Sequence, residues 1–287
     1  MITVFWISLF LIFYTFFGYG LLLFVLVKLK RIFSPGKRKE YRFDDLPSCT
    51  LIVAAFNEQE FMEAKIANTL ALRYPASKLE FIFVTDGSSD QTPEIVSRFP
   101  QIKLLHQPER KGKIAAVHRA IQQVTSDLIV FTDANTFLNE DALVHLCRHY
   151  ADDKVGAIAG EKRVMVDEAA DATAGEGFYW KYESKLKEWD SELYSVVGAA
   201  GELFSIRRNL YEPVSANSVL DDFMISMRIA EKGYVIVYEP EAYAMESSSA
   251  NISEELKRKI RIAAGGIQSV IWLKSLLLPF KFPVLSF

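Results

Sequence analysis

The chain is poor in cysteine, holding only Cys49 and Cys147 among its 287 residues. A disulfide framework needs more, and a thiolate metal site needs further ligands close by. Both residues fall in apolar segments, so they read as buried thiols in a reducing compartment. Charge of one sign is lacking too. With 33 Lys and Arg against 36 Asp and Glu the formal net charge is −3, which supplies no global basic field and argues against nucleic acid as a partner. No internal repeat or low-complexity stretch is present. Most telling is the absence of any charged residue over 2–27. A helix of that length reaches roughly 40 Å, against about 30 Å for a hydrocarbon core. A cleaved signal peptide would place positive charge before a shorter apolar run and a small-residue cleavage site after it. Here Lys28, Lys30 and Arg31, then Lys37, Arg38 and Lys39, come afterwards. The expectation is a retained anchor over residues 1–28 in the cell (inner) membrane, a single N-terminal pass with the rest of the chain cytoplasmic.

What is present suffices for one large core, since 50% of the residues are hydrophobic. Residues 29–47, with Pro35, Gly36 and Pro47, form a basic linker. Strands and helices then alternate. Strands are expected over 50–55, 79–85, 102–106, 128–132 and 155–159. Helices are expected over 58–72, with Phe61, Ile66 and Leu70 as its apolar spacing, over 91–99 capped by Ser89 or Asp90, over 113–124, and over 139–149 capped by Asn139. Such alternation predicts an α/β fold, a mainly parallel sheet with helices on both faces. Past Gly160 it stops. A long helix over 176–193 carries Phe178, Tyr182, Trp189 and Leu193 at helical spacing, a stripe that suits packing better than a sugar platform. Strands over 203–206 and 234–238, a helix over 221–232 ended by Gly233, and a basic helix over 255–264 follow. The predicted units are a half over 48–160, a second half over 161–263, and an apolar, proline-broken segment over 264–287 suited to a membrane interface.

Three acidic signatures punctuate this pattern: Thr85-Asp86-Gly87-Ser88-Ser89-Asp90, Thr132-Asp133-Ala134-Asn135 and Leu220-Asp221-Asp222. The first two sit directly behind apolar β-forming runs. In a parallel sheet the carboxyl ends of strands are where ligands bind, so two strands deliver carboxylates to one edge. That suits a polyvalent cation and a phosphate-bearing donor. The third pair opens a helix, where an ionised carboxylate is favoured; it serves as a cap or supplies a base.

The order Ala55-Phe56-Asn57-Glu58, Asp86-Gly87-Ser88, Gly112-Lys113, Asp133-Ala134-Asn135, 198–208 and Asp221-Asp222 resembles the family 2 glycosyltransferases. The resemblance is particularly to their membrane-bound branch, with cellulose, hyaluronan and poly-N-acetylglucosamine synthases. The resemblance implies a GT-A type fold and an inverting transfer of sugar from a nucleotide, UDP by preference, to a glycan or lipid-linked acceptor. It implies Mn²⁺ or Mg²⁺ on Asp133 and Asn135. It also implies donor contacts from Asn57, Glu58, Asp86, Gly87, Lys113, Asp133 and Arg261, an acceptor side at Gly201 and Glu202, and Asp222 as general base beside Asp221. Further membrane subunits are implied as partners. Three departures stand out. Asn135 replaces a second Asp; Arg258-Lys259-Ile260-Arg261-Ile262 keeps the arginine of a Gln-x-x-Arg-Trp motif but loses its Gln and Trp; and His118 stands where Asn is usual, as a packing or surface residue rather than a catalytic one. The alternatives are a polyprenyl-phosphate monosaccharide transferase and a non-catalytic nucleotide-binding subunit of an export complex.

Overall fold

The computed structural model describes residues 1–33, 41–165, 174–247 and 252–282. The apolar N-terminus forms one continuous helix, Ile2–Phe33. It consists of α1 (Ile2–Phe13), a π-helical turn (Tyr14–Gly18) and α2 (Tyr19–Phe33). It is the one helix among the described residues long and apolar enough to cross a membrane. Its first half is exposed, whereas Gly20, Leu23 and Val27 are buried.

The globular part is built on a single sheet of eight strands in the order β3-β2-β1-β4-β7-β6-β8-β5. β1 (Cys49–Ala55), β2 (Leu79–Asp86), β3 (Lys103–Gln107) and β4 (Leu128–Asp133) are mutually parallel. Side chains alternate across the pleat. Leu51, Val53, Leu128 and Val130 pack on one face with α3 (Gln59–Leu70), α4 (Thr92–Ser97) and α6 (Ala142–Cys147). Ile52, Ile82, Val84, Ile129 and Phe131 pack on the other with α5 (Lys113–Ile121) and α8 (Asp221–Glu231). Each such buried side chain contributes about 1.5–3 kcal/mol, which is why these runs are apolar on both faces.

The chain runs outward from β1 to β2 and β3, then returns to place β4 on β1's other side. That reversal between β1 and β4 is a topological switch point, where a crevice opens at the strands' carboxyl ends. Beyond β4 the sheet is mixed. β7 (Leu203–Arg207) is antiparallel to both β4 and β6 (Val155–Met165), and β8 (Val235–Ser247) is parallel to β6 and antiparallel to the short β5 (Thr136–Leu138).

Several expectations change here. β6 and β8 each run well past 159 and 238, so the boundary expected at 160 falls inside a strand. The face α3 buries carries Met62, Lys65, Ile66 and Thr69, while Leu70 is exposed. Asn139 caps no helix: its side chain bonds Tyr243 N and Glu241 O on β8, and Asp141 precedes α6 instead. Gln91 stands at the N-cap of α4, with Asp90 Oδ1 accepting from Thr92 N at 3.0 Å. α9 (Ile252–Trp272) crosses the boundary expected at 264, and Leu273 and Leu276 beyond it are buried in the core while Leu277, Leu278 and Phe280 remain exposed. Residues 283–287 lie outside the described residues, as does the side chain of Phe178.

The aromatic stripe of α7 (Ala174–Leu193) packs, but against the apolar N-terminal helix. Trp189 meets Phe24 with ring centroids 5.6 Å apart, and Tyr19 Oη donates to Asp190 Oδ1 at 2.6 Å. Tyr182 Oη donates to Phe16 O at 2.9 Å, at the π-helical turn, where the regular backbone ladder is interrupted. Lys30 Nζ donates to the carbonyls of Glu192 and Leu193, and Arg31 pairs with the Glu192 carboxylate, closing the C-terminal end of α7.

Candidate active site

A pocket opens at the switch point. Ala54 of β1 and Asp133 of β4 are register partners, so the strand pairing alone sets Asp133 at its mouth. Phe131 and Phe204, stacked with centroids 4.5 Å apart, line its interior with Ile225, and Lys113, Gly201, Asp221 and Asp222 complete the wall. The spacing in sequence gives no hint of how close these come. Lys113 Nζ donates to Asp133 Oδ1 at 2.7 Å. Desolvation opposes its charge, but the carboxylates of Asp133 and Asp221 hold the ammonium above its usual range. At Gly201 a Cβ would stand 2.9 Å from Asp222 Oδ2 and 3.7 Å from Lys113 Nζ, so a side chain there would press on both.

Asp222 opens α8 with its Oδ1 accepting from Phe223 N at 2.8 Å. Desolvation, then the neighbouring charge of Asp221, push its carboxyl up to about 7, and Glu202 adds to the rise while Lys113 opposes it. A carboxylate tuned to that range accepts a proton far more readily than an exposed aspartate.

Asp86 is placed beside the pocket rather than in its wall, and is 4% exposed. Its Oδ2 accepts from Lys111 N at 2.7 Å and Gly112 N at 2.6 Å, and Arg119 Nη1 approaches Oδ1 at 3.4 Å. Gly87, at φ +72°, lets Arg110 cross close above it, since a Cβ would lie 2.8 Å from the Arg110 backbone. The Arg110 guanidinium covers the Phe56 ring at 3.7 Å. Asn57, at φ +54°, is stitched to the same turn. Its Oδ1 accepts from Ser89 N at 2.9 Å, and its own N–H donates to Ser88 Oγ at 3.2 Å. Glu58 follows; burial, then the charge of Asp133, raise its carboxyl pKa.

A second polar group flanks the pocket. Lys162 of β6 pairs with Glu202 at 2.6 Å and with Glu246 of β8, and Asn135 Nδ2 donates to Glu246 Oε1 at 3.4 Å. Burial opposes ionisation of Glu202, but Lys162 holds its carboxyl below the usual range, with Arg258 adding to the effect. It is thus Arg258, three residues before Arg261, whose charge acts on this side, while Arg261 is exposed on α9. His118 packs edge-on against Tyr211, as expected. Sequence reasoning missed Lys65, Arg119, Lys162 and Glu246. The one available signal was Lys65, a lysine on an otherwise apolar helix face.

Among the described residues no three His, Cys, Asp or Glu side chains converge as a cation cage. Asp133 nevertheless presents a hard carboxylate ligand at the pocket and Asn135 an amide oxygen two residues on, donors that fit a divalent cation whose other positions are filled by phosphate oxygens and water.

Comparison with known proteins fits this geometry. Poly-beta-1,6-N-acetyl-D-glucosamine synthase of Staphylococcus aureus (strain COL) is 26% identical over 241 residues, covering 82% of this chain and 58% of the relative. The enzyme of the same name from Staphylococcus epidermidis is 24% identical over 224 residues, covering 76% and 54%. The chain therefore spans a little over half the length of these curated relatives. Among solved structures, the mannosyltransferase PcManGT from Pyrobaculum calidifontis, in complex with GDP-Man and Mn²⁺, superposes with a TM-score of 0.74 at 26% identity, over 95% of this chain and 77% of its own. GalNAc-T7 with UDP, GalNAc and Mn²⁺ shares the fold, with a TM-score of 0.55 at 16% identity over 71% and 44% of the two chains. The model of glycosyl transferase family 2 matches residues 50–214, more than half of the sequence, and the chain belongs to that family, an enzyme domain of GT-A fold behind an apolar N-terminal helix.

Proposed function

We propose that this glycosyltransferase moves a single sugar unit at a time from a nucleoside diphosphate sugar to a glycan or lipid-linked acceptor at the membrane, with inversion at the anomeric carbon. The convergence of Asp133, Lys113 and Asp222 on one pocket at the switch point carries the reading. Asp222 takes the proton of the acceptor hydroxyl as its oxygen bonds to the anomeric carbon. The bond to the nucleoside diphosphate breaks on the opposite side, its electron pair leaving with the diphosphate. Asp221 sits beside it and keeps its pKa high. Lys113 turns from Asp133 to the diphosphate, and Arg261 is available from α9 for the same charge. Asn57, Glu58, Asp86 and Gly87 frame the nucleoside, and Gly201 and Glu202 face the acceptor.

A bound Mn²⁺ or Mg²⁺ would neutralise charge on the leaving diphosphate. Asp133 would hold it, with Asn135 contributing its amide Oδ1, the nitrogen being directed to Glu246. UDP is the nucleotide this reading prefers, and the mannosyltransferase, which was solved with GDP-Man and Mn²⁺, supports GDP as the second reading. Calorimetry with UDP and GDP, each with Mn²⁺ and with EDTA, separates them. Binding of one nucleotide should strengthen with metal, and Asp133→Ala should lose most of that gain. Equal affinity with EDTA and with Mn²⁺ overturns the metal assignment.

The Ile2–Phe33 helix would anchor the domain, with Lys28, Lys30 and Arg31 placing it on the cytoplasmic side and the exposed apolar residues of α9 and its continuation lying at the membrane interface. Further membrane subunits would receive the product. A cysteine introduced at position 40 should stay shielded from impermeant thiol reagents in intact cells; labelling without permeabilisation reverses the topology.

A further inference from the structure

On α3 a lysine occupies a position that the surrounding core would fill with an apolar residue. Lys65 is 0% exposed and lies between the buried Met62, Ile66 and Thr69 of the same helix face. Its Nζ donates to Thr136 O at 2.6 Å and to Thr132 Oγ1 at 3.2 Å. One turn later Asn68 grips the same structure, donating to Leu138 O at 2.8 Å and accepting from Leu138 N at 2.9 Å. Enclosing an amine away from water is unfavourable, and burial pushes this one down to about 7, with the charge of Asp133 opposing the fall. A leucine or methionine would bury there without that cost.

The groups that Lys65 and Asn68 hold lie on both sides of Asp133-Ala134-Asn135. Thr132 precedes the turn, and Thr136 and Leu138 follow it. The turn is also bonded internally and sideways. Thr132 Oγ1 lies 3.0 Å from Thr136 Oγ1, Thr136 Oγ1 lies within 3.1 Å of Asp133 O, and Thr132 Oγ1 lies 2.9 Å from Glu202 O. The lysine nitrogen therefore ties helix α3 to the β4–β5 turn, and the Thr132 hydroxyl it meets carries the connection on to Glu202 at the start of β7.

We propose that Lys65 is a positioning residue for the donor site, fixing the β4–β5 turn so that Asp133 and Asn135 present their oxygens to one point. It touches no donor atom; it acts through the turn. The inference rests on the reading of Asp133 as the cation-holding residue, and its test is built so that the two can fail separately.

In the full chain, Lys65→Met removes the donor while keeping the stem. Two readouts follow. By hydrogen exchange without ligand, amides of residues 132–138 should exchange about tenfold faster, equal to about 1.4 kcal/mol of local opening, while those of β2 stay unchanged. By calorimetry, the Mn²⁺-dependent gain in nucleotide affinity should fall about tenfold, while affinity in EDTA stays at the wild-type value. Lys65→Gln, which can still donate to Thr136 O, should recover part of both. Should Lys65→Met fail to fold, Lys65→Gln and Thr132→Val, which removes one acceptor, carry the same two measurements. Unchanged exchange at 132–138 overturns the proposal, as does equal loss of affinity with and without metal. If exchange rises as expected but Asp133→Ala keeps the full Mn²⁺ gain, the positioning role stands and the cation assignment falls.

Discussion

The two halves of the sheet bring polar groups to the pocket by different means. In the parallel half, β3-β2-β1-β4, the register of buried apolar strands decides where Asp133 and Asp86 emerge, and bonds between side chains and backbone groups steady them there, Lys111 N and Gly112 N on the Asp86 carboxylate and Lys65 Nζ on Thr136 O. In the mixed half, Glu202, Glu246 and Lys162 hold one another across three strands by charge. Backbone pairing places a carboxylate whatever its ionisation. A side-chain net places it only while its charges balance, so the second half should be the more sensitive to charge-changing substitutions.

The largest expected effect lies where the two halves meet. Asp222→Asn should lower turnover by at least about two orders of magnitude, with donor affinity nearly unchanged. Its wild-type pKa, raised to about 7 by desolvation and then by Asp221, makes the base form the major one only above that pH. The pH profile of kcat/KM should therefore climb through about 7, with Asp221, Glu202 and Lys113 as the charged neighbours that set the midpoint. In Asp222→Asn the residual rate should lose this ascending limb. A wild-type rate in that variant would move the base to Glu202 or Asp221.

A smaller effect sharpens the contrast between halves. Lys162→Met leaves Glu202 and Glu246 facing each other in a nearly enclosed site, and should cost about 1–3 kcal/mol in denaturant unfolding. Lys113→Met breaks a more exposed pair, with side chains 48% and 32% exposed, and should cost less than about 1 kcal/mol while weakening nucleotide binding. If the two variants unfold alike, the distinction between register-held and charge-held residues does not describe this protein.

The same contrast governs what could be read from the amino acids alone. β1, β2 and β4 are buried on both faces and appear as uninterrupted apolar runs, so their ends, and with them Asp86 and Asp133, were legible. β6 and β8 were read too short because their distal halves carry Glu161, Lys162, Arg163, Glu239 and Glu241, polar residues whose partners lie on other elements, Lys162 with Glu202 and Glu246, and Glu239 and Glu241 with Arg148 just after α6. The register shift between Gly160 and Glu161 hides the continuation further. β5, only Thr136–Leu138, is too short to show a period. Lys65 misled the reading of α3, since a core lysine breaks the apolar spacing it belongs to. Asp221 and Asp222 were legible as a helix start, but nothing local placed them against Lys113, a meeting made by strands remote in sequence.

One consequence of the sheet order concerns time. β4 is paired along both edges, with β1 on one side as far as Asp133 and β7 on the other as far as Thr132, so displacing the strand that carries Asp133 means parting a central strand. Such openings are among the rarest a folded chain makes, approaching the cost of global unfolding. Motions fast enough to accompany each turnover, on the microsecond-to-millisecond scale, must then belong to segments outside the ladder. The irregular stretches 108–112, which leads into Lys113, and 211–220, which leads into Asp221 and Asp222, are such segments. In this arrangement the strand under Asp133 should keep still, and movement at the pocket should come from the segments that carry Lys113 and Asp222.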